Sequence, residues 1–550
     1  MTDIETLQRY SPEVIANYYN RRPWLVVRRG LQILFHFGIF YLHLLLDKIF
    51  KKEEKNKQKR AEELRQILTR LGPTFIKVGQ ALSTRPDLVK KDYLEELTKL
   101  QDQLPPFDNK IAFQIIEKEL DLKIEEAYRE ISSQPVAAAS LGQVYRGYLH
   151  TGEEVAIKVQ RPNLLPILTL DLYLLRWMAV HFGKFLPLNL GHNLELIVDE
   201  FGAKLFEEID YLNEARNAEK FAANFRGDKD IKVPAIYWRY TTHKVLTLEW
   251  INGYKLTDVE SIKAAGLNPD NLIRIGVISG LRQLLEHGFF HADPHPGNLF
   301  AMPDGRMAYI DFGMMDQLSE DTKETIVSSV VQLINKDYKA LAEDFVKLGF
   351  LTPETDIRPI IPALEKVFNN AIGRSVSDFN FKTITDDFSE LMFDYPFRVP
   401  AKFALIIRSL VTQEGLALSL NPNFRIVEVS FPYVSRRLLT EESPAMRKRL
   451  LEVLFKDGKF QWQRLEHMIA LARMDGHFDL LPTAGLGLQF LVSPEGEYLR
   501  QQIITALIED DRLHTEEVKR LWQLIQPELH PRKLLDVAWK AIRERVGVGQ

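Results

Sequence analysis

One ordered set of charged residues constrains the fold of this chain more than any other feature. The strand-like run Val155-Ala156-Ile157-Lys158 places a lysine in an apolar segment. Far downstream, Asn298 follows Asp293 by five residues, and Asp311 opens an Asp-Phe-Gly triplet thirteen residues after Asn298. In this order and with this spacing, we expect the two distant stretches to belong to one site.

This order is typical of protein-kinase-like phosphotransferases. Lys158 is expected to bind the phosphates of ATP, and Asn298 and Asp311 supply the hard oxygen ligands that suit Mg²⁺. Asp293 could accept the proton of a substrate hydroxyl group or orient that group. The sequence therefore predicts a site for ATP and Mg²⁺.

Residues 135–148 and 153–159 alternate apolar and polar and predict a β-hairpin with its turn at His150-Thr151-Gly152. A loop of small residues precedes the lysine strand. In protein kinases this register reads Gly-x-Gly-x-x-Gly-x-Val, whereas here two of the glycines are alanine. Because alanine restricts positive φ angles, we expect this loop to hold phosphates differently. The alternative is a turn of small residues that serves packing alone. The predicted nucleotide-binding residues of the loop are Ala137, Ala138, Ala139, Ser140, Gly142 and Val144.

A carboxylate is needed to hold the ammonium group of Lys158 in place. The segment from Leu194 to Phe225 has a helical pattern and carries Glu207, Glu208, Asp210 and Glu214. Asp210 and Glu214 have the i, i+4 spacing of one helix face, and Glu208 points elsewhere. Spacing alone does not decide which carboxylate contacts the lysine.

The segment Glu249 to Asn252 is the predicted connection between the two lobes. We expect it to bind adenine, mostly through backbone groups, with Glu249 and Ile251 among the contacts. After Gly313 there is no Ala-Pro-Glu sequence, and Leu318 to Asp321 already resembles a helix start. The usual platform for a peptide substrate is therefore missing, which favours a small-molecule or lipid acceptor, or hydrolysis without transfer.

The chain has 550 residues, too many for one core, and we predict an α+β, protein-kinase-like two-lobe fold with a helical N-terminal extension and a large helical C-terminal region. The net charge of −4 gives no reason to expect nucleic-acid binding. The absence of cysteine excludes disulfides and thiolate zinc sites. The predicted segments are an apolar and basic helical segment at 1–60, a helical extension at 61–131, an N-lobe at 132–253, a catalytic region at 254–330 and a helical C-terminal region at 331–550.

The most apolar stretch lies near the N-terminus. Leu31 to Leu46 would span roughly 24 Å as a helix, less than the ~30 Å hydrocarbon core of a bilayer. Arginines precede this stretch, and the basic run Lys51 to Arg60 follows it. An apolar helix between basic flanks favours contact with an anionic membrane surface. The alternatives are a helix that only docks on the protein and a true membrane span.

The motifs together resemble those of the UbiB-type (aarF-domain) atypical kinase family, over roughly residues 60 to 330. Lys77-Val78-Gly79-Gln80 resembles the family's KxGQ signature, and Glu208-Ile209-Asp210 resembles its ExD motif. Glu214 occupies the position of the glutamate that pairs with the strand lysine. The alanine-rich loop, the segment His291 to Asn298 and the Asp-Phe-Gly triplet complete the set.

The resemblance implies a role for Lys77, which by itself would be interpreted as a surface lysine. In the family picture the KxGQ helices cover the place where a peptide would bind, and Lys77 reaches toward Glu208 and Asp210. This arrangement limits ordinary phosphoryl transfer. The run from Tyr19 to Leu34 also looks like cyanobacterial and plastid members. The implied location is peripheral, on the cytoplasmic side of a thylakoid or plasma membrane.

The sequence thus predicts a membrane-associated, kinase-like ATPase that supports isoprenoid-quinone or other prenyl-lipid metabolism. Its implied partners are ATP, a lipid surface, and prenyl-quinone intermediates or biosynthetic enzymes. Two alternatives stay open: a kinase that phosphorylates a small molecule or lipid, and a nucleotide-gated scaffold without catalysis.

Overall fold

A computed structural model describes most of the chain before residue 440 and a few residues beyond it. The described residues are 4, 7–83, 89, 91–100, 105–182, 194–292, 294, 296–372, 395, 397–440, 450, 454–456, 459–461, 464, 468 and 519. One unit comprises Met1–Gly276, Phe289–Gln317 and Thr385–Pro422, and the other comprises Val277–Gly288, Leu318–Ile384 and Asn423–Gln550. Every predicted site residue lies in the first unit, and among them Asp293 is outside the described residues.

The first unit contains a five-stranded sheet that carries Lys158. Its strands follow the order β1-β3-β4-β6, with β2 paired to β3. The turn of the predicted hairpin contains Gly152 at φ 106°, a conformation that glycine adopts without strain. Alternate residues of the hairpin form a core with the helices on one face of the sheet. The strands are β1 (Glu130–Ile131), β2 (Ala137–Ala138), β3 (Gly142–Tyr148), β4 (Glu154–Gln160), and, later in the chain, β6 (Val245–Glu249).

Two smaller sheets position the predicted metal ligands. One has the order β5-β10-β9-β7, from β5 (Ile231–Lys232), β7 (Tyr254–Lys255), β9 (Leu299–Ala301) and β10 (Met307–Tyr309). The other pairs β8 (Phe289–His291) with β11 (Met315–Gln317). Tyr309 lies opposite Leu299 in the register of β10 and β9. Asn298, which precedes β9, is thereby brought beside Asp311, which follows β10.

Helices make up most of the rest of the first unit. Helix α12 continues into the second unit from Val277. The helices are α1 (Pro12–Asn20), α2 (Pro23–Ile49), α3 (Glu53–Leu71), α4 (Pro73–Leu82), α5 (Lys91–Leu97), α6 (Asn109–Leu120), α7 (Ile124–Ala127), α8 (Leu164–Phe182), α9 (Leu194–Ile209), α10 (Tyr211–Asn224), α11 (Val259–Ala264) and α12 (Pro269–Arg282). One further helix of this unit, α16 (Ala401–Leu420), comes later in the chain, after α13 to α15 of the second unit.

The second unit is also mainly helical in its described part. A π-helical turn, Gln283–His287, opens it after α12. Within this unit, Glu286 accepts hydrogen bonds from Arg282 and Tyr433. Its remaining elements are α13 (Glu320–Ile334), α14 (Tyr338–Lys347), α15 (Ile360–Ile372), α17 (Ile426–Thr440) and the short pair β12 (Phe455–Lys456) and β13 (Lys459–Phe460).

The segment from Leu194 to Phe225, predicted to be helical, consists of two helices, α9 and α10. Asp210 has φ −87° and ψ 101°, outside the helical region, and its carboxylate caps α10 by accepting a hydrogen bond from Leu212 N at 3.0 Å. The expectation that Asp210 and Glu214 share one face of a continuous helix was therefore wrong. The break also changes the direction of the chain between Glu208, near the end of α9, and Glu214 in α10.

Candidate functional site

Lys158 lies in a central strand and contacts a buried glutamate. Its Nζ is 2.5 Å from Oε1 of Glu214, and Glu214 is only 4% exposed. The same Nζ is 3.9 Å from Oδ1 of Asp311. The structure therefore brings the strand lysine, one helix carboxylate and the Asp-Phe-Gly aspartate together, and of the four acidic candidates it places Glu214 against the lysine.

The three charges shift one another's pKa values. Burial raises the pKa of Glu214 to about 7, although the Lys158 ammonium group opposes this shift. Burial would lower the pKa of Lys158, but Glu214 and Asp311 outweigh it and the pKa is raised. Burial would raise the pKa of Asp311, but Lys158 and the hydrogen bond from Gly313 hold this pKa at about 2. Lys158 and Asp311 are thus charged at neutral pH.

Asn298 and Asp311 form the predicted metal-binding pair. Asn298 Nδ2 donates to Oδ2 of Asp311 at 3.0 Å, and Gly313 N donates to Oδ1 at 3.0 Å. The Asp311 side chain is 38% exposed, so an ionised carboxylate faces open space. The described residues contain no group of three His, Cys, Asp or Glu that could hold a metal ion. This pair fits Mg²⁺ because that ion is commonly held by one or two protein oxygens together with phosphate oxygens.

His291 is part of the motif identified in the sequence, but no role was predicted for this residue. Its ring Nε2 is 2.9 Å from the backbone oxygen of Asp311, and the residue is 3% exposed. This contact ties the end of β8 to the segment that presents the Asp311 carboxylate. The signal was available, because His291 stands two residues before Asp293 in the motif already identified. Asp293 and His295 lie outside the described residues, so the role of Asp293 stays a prediction.

Lys77 is buried, unlike the surface lysine that this residue by itself would suggest, and the role that the family resemblance implies for it stays a prediction. It lies in α4, is 7% exposed and forms an ion pair with Glu208. A Cβ added to Gly313 would be 3.7 Å from Cγ of Glu208, so this pair lies beside the Asp-Phe-Gly triplet. Asp210, besides capping α10, contacts His243 Nδ1 at 2.8 Å.

The alanine loop is partly strand. Ala137 pairs with Val144 and Ala138 with Gln143, and Ala139 N donates to Gly142 O at 2.8 Å. Gly142 is required by packing, since an added Cβ would be 2.5 Å from both the Tyr211 hydroxyl and Val159 O. Ser140 is fully buried at 0% exposure. Of the predicted loop residues, Ala137 and Ala139 are exposed, and their side chains face solvent.

The predicted adenine segment begins at the end of β6. The Glu249 carboxylate accepts hydrogen bonds from Lys232 Nζ at 2.7 Å and from Ala235 N at 3.0 Å. Ile251 is buried at 9% exposure. The side chain of Glu249 therefore fastens the strand end to the neighbouring segment, and the predicted contact of this segment with adenine stays a prediction.

Comparison with known proteins identifies the family. A model described as the ABC1 atypical kinase-like domain matches residues 99–345, and one described as the UbiB helical domain matches residues 364–425. The chain is 71% identical to protein slr1919 of Synechocystis sp. over 99% of this chain and 96% of that protein. It is 46% identical to the Arabidopsis thaliana protein ACTIVITY OF BC1 COMPLEX KINASE 1, chloroplastic, over 95% of this chain and 79% of that protein.

A second Arabidopsis relative, ACTIVITY OF BC1 COMPLEX KINASE 3, chloroplastic, is 47% identical over 90% of this chain and 70% of that protein. The predicted α+β kinase-like fold and the resemblance to cyanobacterial and plastid members are confirmed. The boundaries predicted for the five segments stay predictions. The chain belongs to the ABC1/UbiB family of atypical kinase-like proteins.

Proposed function

We propose that this protein is a Mg²⁺-dependent, kinase-like ATPase that works at a membrane surface in prenyl-lipid or isoprenoid-quinone metabolism. The observation that carries the ATP-binding part is the buried contact of Lys158 with Glu214, beside the ionised carboxylate of Asp311. A buried ammonium group with one firm carboxylate partner is held in place to bind an anion. Phosphate oxygens are the anions that this site suits.

Each residue then has a separate task. Lys158 binds phosphate oxygens, and Glu214 holds the lysine in position. Asn298 and Asp311 would hold Mg²⁺, which neutralises charge on the phosphates when it is bound. Asp293, as predicted from its motif, orients a water molecule or accepts its proton. The alanine loop, residues 137–144, contacts the phosphates, and backbone groups near Glu249 and Ile251 contact the base.

Hydrolysis is favoured over transfer by the position of Lys77. Its ion pair with Glu208 lies next to Gly313, beside the phosphate-binding residues. A buried ion pair at this place occupies space that a bulky acceptor would need. A water molecule is small enough to reach the phosphates without separating the pair. The same observation favours, as a second candidate, a nucleotide-gated scaffold that binds ATP and does not hydrolyse it.

Membrane contact is supported by one face of α2. Among the described residues, three helices are long and apolar enough to cross a membrane, but α2 has only 11% of its apolar window buried, against 33% and 39% for the other two. Its exposed apolar residues recur at helical spacing. Arg21 and Arg28 near its start and Lys48, Lys51 and Lys52 near its end are also exposed. The apolar residues include Trp24, Val27, Leu31, Phe35, Leu42 and Ile49.

Helix α2 as a whole has 27 residues and spans about 40 Å, long enough to cross a bilayer, and the predicted stretch Leu31 to Leu46 is its apolar central part. A peripheral position is nevertheless favoured by the opposite face of α2. Arg29 pairs with Asp171 of α8, and Asp47 pairs with Arg60 of α3. Because both ends of the helix are fastened to the protein, one side is available to lipid. The chloroplastic relatives are in keeping with a thylakoid-type membrane.

The first test is Mg²⁺-dependent ATP hydrolysis by the purified protein, with and without anionic liposomes. We expect turnover that increases with liposomes and falls at least ~100-fold in Asp311→Asn, because the variant loses a charged ligand of the metal. Asp304→Asn is the matched control, since Asp304 contacts Arg306 in an exposed turn. Equal turnover in Asp311→Asn and wild type would refute the site assignment.

The products distinguish the alternatives. Phosphate recovered on a lipid, and not as free phosphate, would identify a lipid kinase. ATP binding without hydrolysis under either condition would support the scaffold, whose cellular role should survive Asp293→Asn. A quinone-related role is tested separately, by measuring prenyl-quinone levels in cells that carry Asp311→Asn in place of the wild-type protein.

A further inference from the structure

Tyr211, which no motif singled out, lies against the phosphate loop. It is the first residue of α10 and is 7% exposed. Its hydroxyl oxygen is so close to Gly142 that a Cβ added there would be 2.5 Å away from it. The hydroxyl therefore lies directly against the backbone of the third loop position.

This position is on the same face of the sheet as Lys158. Side chains alternate along a strand, so Gly142 and Val144 share one face of β3. Val144 lies directly opposite Lys158 of β4 in the register. Directly opposed residues of antiparallel strands project to the same face. The Tyr211 hydroxyl is thus on the side of the sheet where phosphates would contact Lys158.

The hydroxyl has no hydrogen-bond partner among the residues that the structure describes, and it is not one of the fully enclosed unpaired polar atoms, so it has access to space outside the protein although Tyr211 as a whole is only 7% exposed. Buried tyrosine hydroxyl groups usually have a partner, and others in this chain do. Tyr128 bonds to Thr247 at 2.8 Å, and Tyr145 donates to Asn109 at 2.7 Å. Burial and the nearby carboxylates of Glu214 and Asp311 raise the pKa of Tyr211, so its hydroxyl stays protonated and can donate.

One backbone amide of the alanine loop is engaged within the loop and cannot donate to a phosphate. In glycine-rich loops, backbone amides approach the phosphates closely. Here the amide of Ala139 is used within the loop, because it donates to Gly142 O at 2.8 Å. The surrounding side chains of Glu208, Glu214 and Asp311 are acidic, so an additional neutral donor would help an anion to bind at this point.

We propose that the Tyr211 hydroxyl donates a hydrogen bond to a phosphate oxygen of the nucleotide that Lys158 binds. It thereby adds a donor at a loop in which the amide of Ala139 is already engaged. The inference rests on the proposed ATP binding and adds a specific residue to it. Tyr211 is expected to recognise the phosphate chain and to have no effect on recognition of the base.

The test compares binding of ATP, ADP and adenosine, each with Mg²⁺, to the full-length wild type and to Tyr211→Phe by titration calorimetry. Removing one hydrogen bond to a charged group should weaken ATP and ADP binding about 10-fold. Adenosine binding should stay within about 2-fold, because adenosine has no phosphate. Tyr128→Phe is the matched control: it also removes a buried hydroxyl, and its ratio of ATP to adenosine affinity should equal that of the wild type.

Three outcomes would overturn the proposal. An unchanged ATP affinity in Tyr211→Phe would show that the hydroxyl does not contact phosphate. Equal weakening of ATP and adenosine binding, with a lower melting temperature, would show that the hydroxyl serves only packing. Wild-type protein that binds neither ATP nor ADP would refute the proposed function as well, so the two failures are distinguishable.

Discussion

At the scale of single residues, the site is governed by burial of opposite charges close together. Lys158 Nζ and Glu214 Oε1 are 2.5 Å apart and both side chains are largely buried, and Asp311 adds a second negative charge. Removing these groups from water opposes the ionised forms, but for Lys158 and Asp311 the attraction between opposite charges outweighs this effect. For Glu214 the burial effect wins, because its pKa rises to about 7.

This pKa gives a pH-dependent stability prediction for Glu214→Gln. A carboxyl group whose pKa rises from 4.5 to about 7 on folding stabilises the folded state below pH 4.5, and this stabilisation is lost as the pH rises through 7. The melting temperature of the wild type minus that of Glu214→Gln should therefore decrease between pH 4.5 and about pH 7. It should be constant above about pH 8. Lys158 does not titrate in this window, since its pKa is raised from 10.5.

Thermal denaturation of both proteins from pH 5 to about pH 8.5 checks this expectation. A wild-type advantage that grows with pH would contradict it, because that is the behaviour of a carboxylate whose pKa is lowered by an ion pair. Glu119→Gln is a suitable control, since Glu119 contacts Lys244 at 3.6 Å and Thr242 at 3.0 Å, away from Lys158.

At the scale of elements, Arg29 joins α2 to the helix that carries Lys77. Its Nε and Nη2 donate to the two oxygens of Asp171 at 2.7 and 2.9 Å, and Nη2 also donates to Leu71 O at 2.6 Å. Leu71 ends α3, immediately before Gly72 and α4. The guanidinium group also lies 5.7 Å from the ring centre of Phe75 in α4. One side chain thus connects α2, α3, α4 and α8.

We expect Arg29→Met to destabilise the first unit by about 3–5 kcal/mol, because Asp171 is 0% exposed and would lose its charged partner. Chemical denaturation measures the effect, and exposed Arg28→Met serves as the control. The double variant Arg29→Met/Asp171→Leu should recover most of the loss, since no buried charge is left unpaired. A double variant as unstable as Arg29→Met would show that packing, not the ion pair, is responsible.

At the scale of the whole molecule, the apolar face of α2 is an exposed apolar surface that extends along the helix. Leu31, Phe35 and Leu42 are 60%, 64% and 53% exposed, whereas the opposite side of the helix contacts α3 and α8. An exposed apolar surface of this kind, bordered by basic residues, commonly marks a membrane-binding region.

Replacement of Leu31, Phe35 and Leu42 by Gln should weaken binding to anionic vesicles about 10-fold or more, because less apolar surface enters the lipid. Cosedimentation with vesicles that contain 30% anionic lipid measures this. Ile111→Gln/Val136→Gln, which changes exposed apolar residues elsewhere, should bind like the wild type. Equal binding of the triple variant would mean that α2 does not face lipid.

The sequence by itself determined the fold class, the hairpin around Gly152 and the identity of Lys158, Asn298 and Asp311 as a set. These features depend on residue types at short spacings, which the local chemistry of strands, turns and metal ligands dictates. Spacing alone left the partners of the two lysines open, the family resemblance implied Glu214 for Lys158 and Glu208 for Lys77, and the tertiary structure shows both contacts. The break at Asp210 brings Glu214 to Lys158 and Glu208 to Lys77, and long-range packing places the Tyr211 hydroxyl against Gly142. No periodicity within one segment encodes these contacts, because each joins elements that meet only when the sheets and helices assemble.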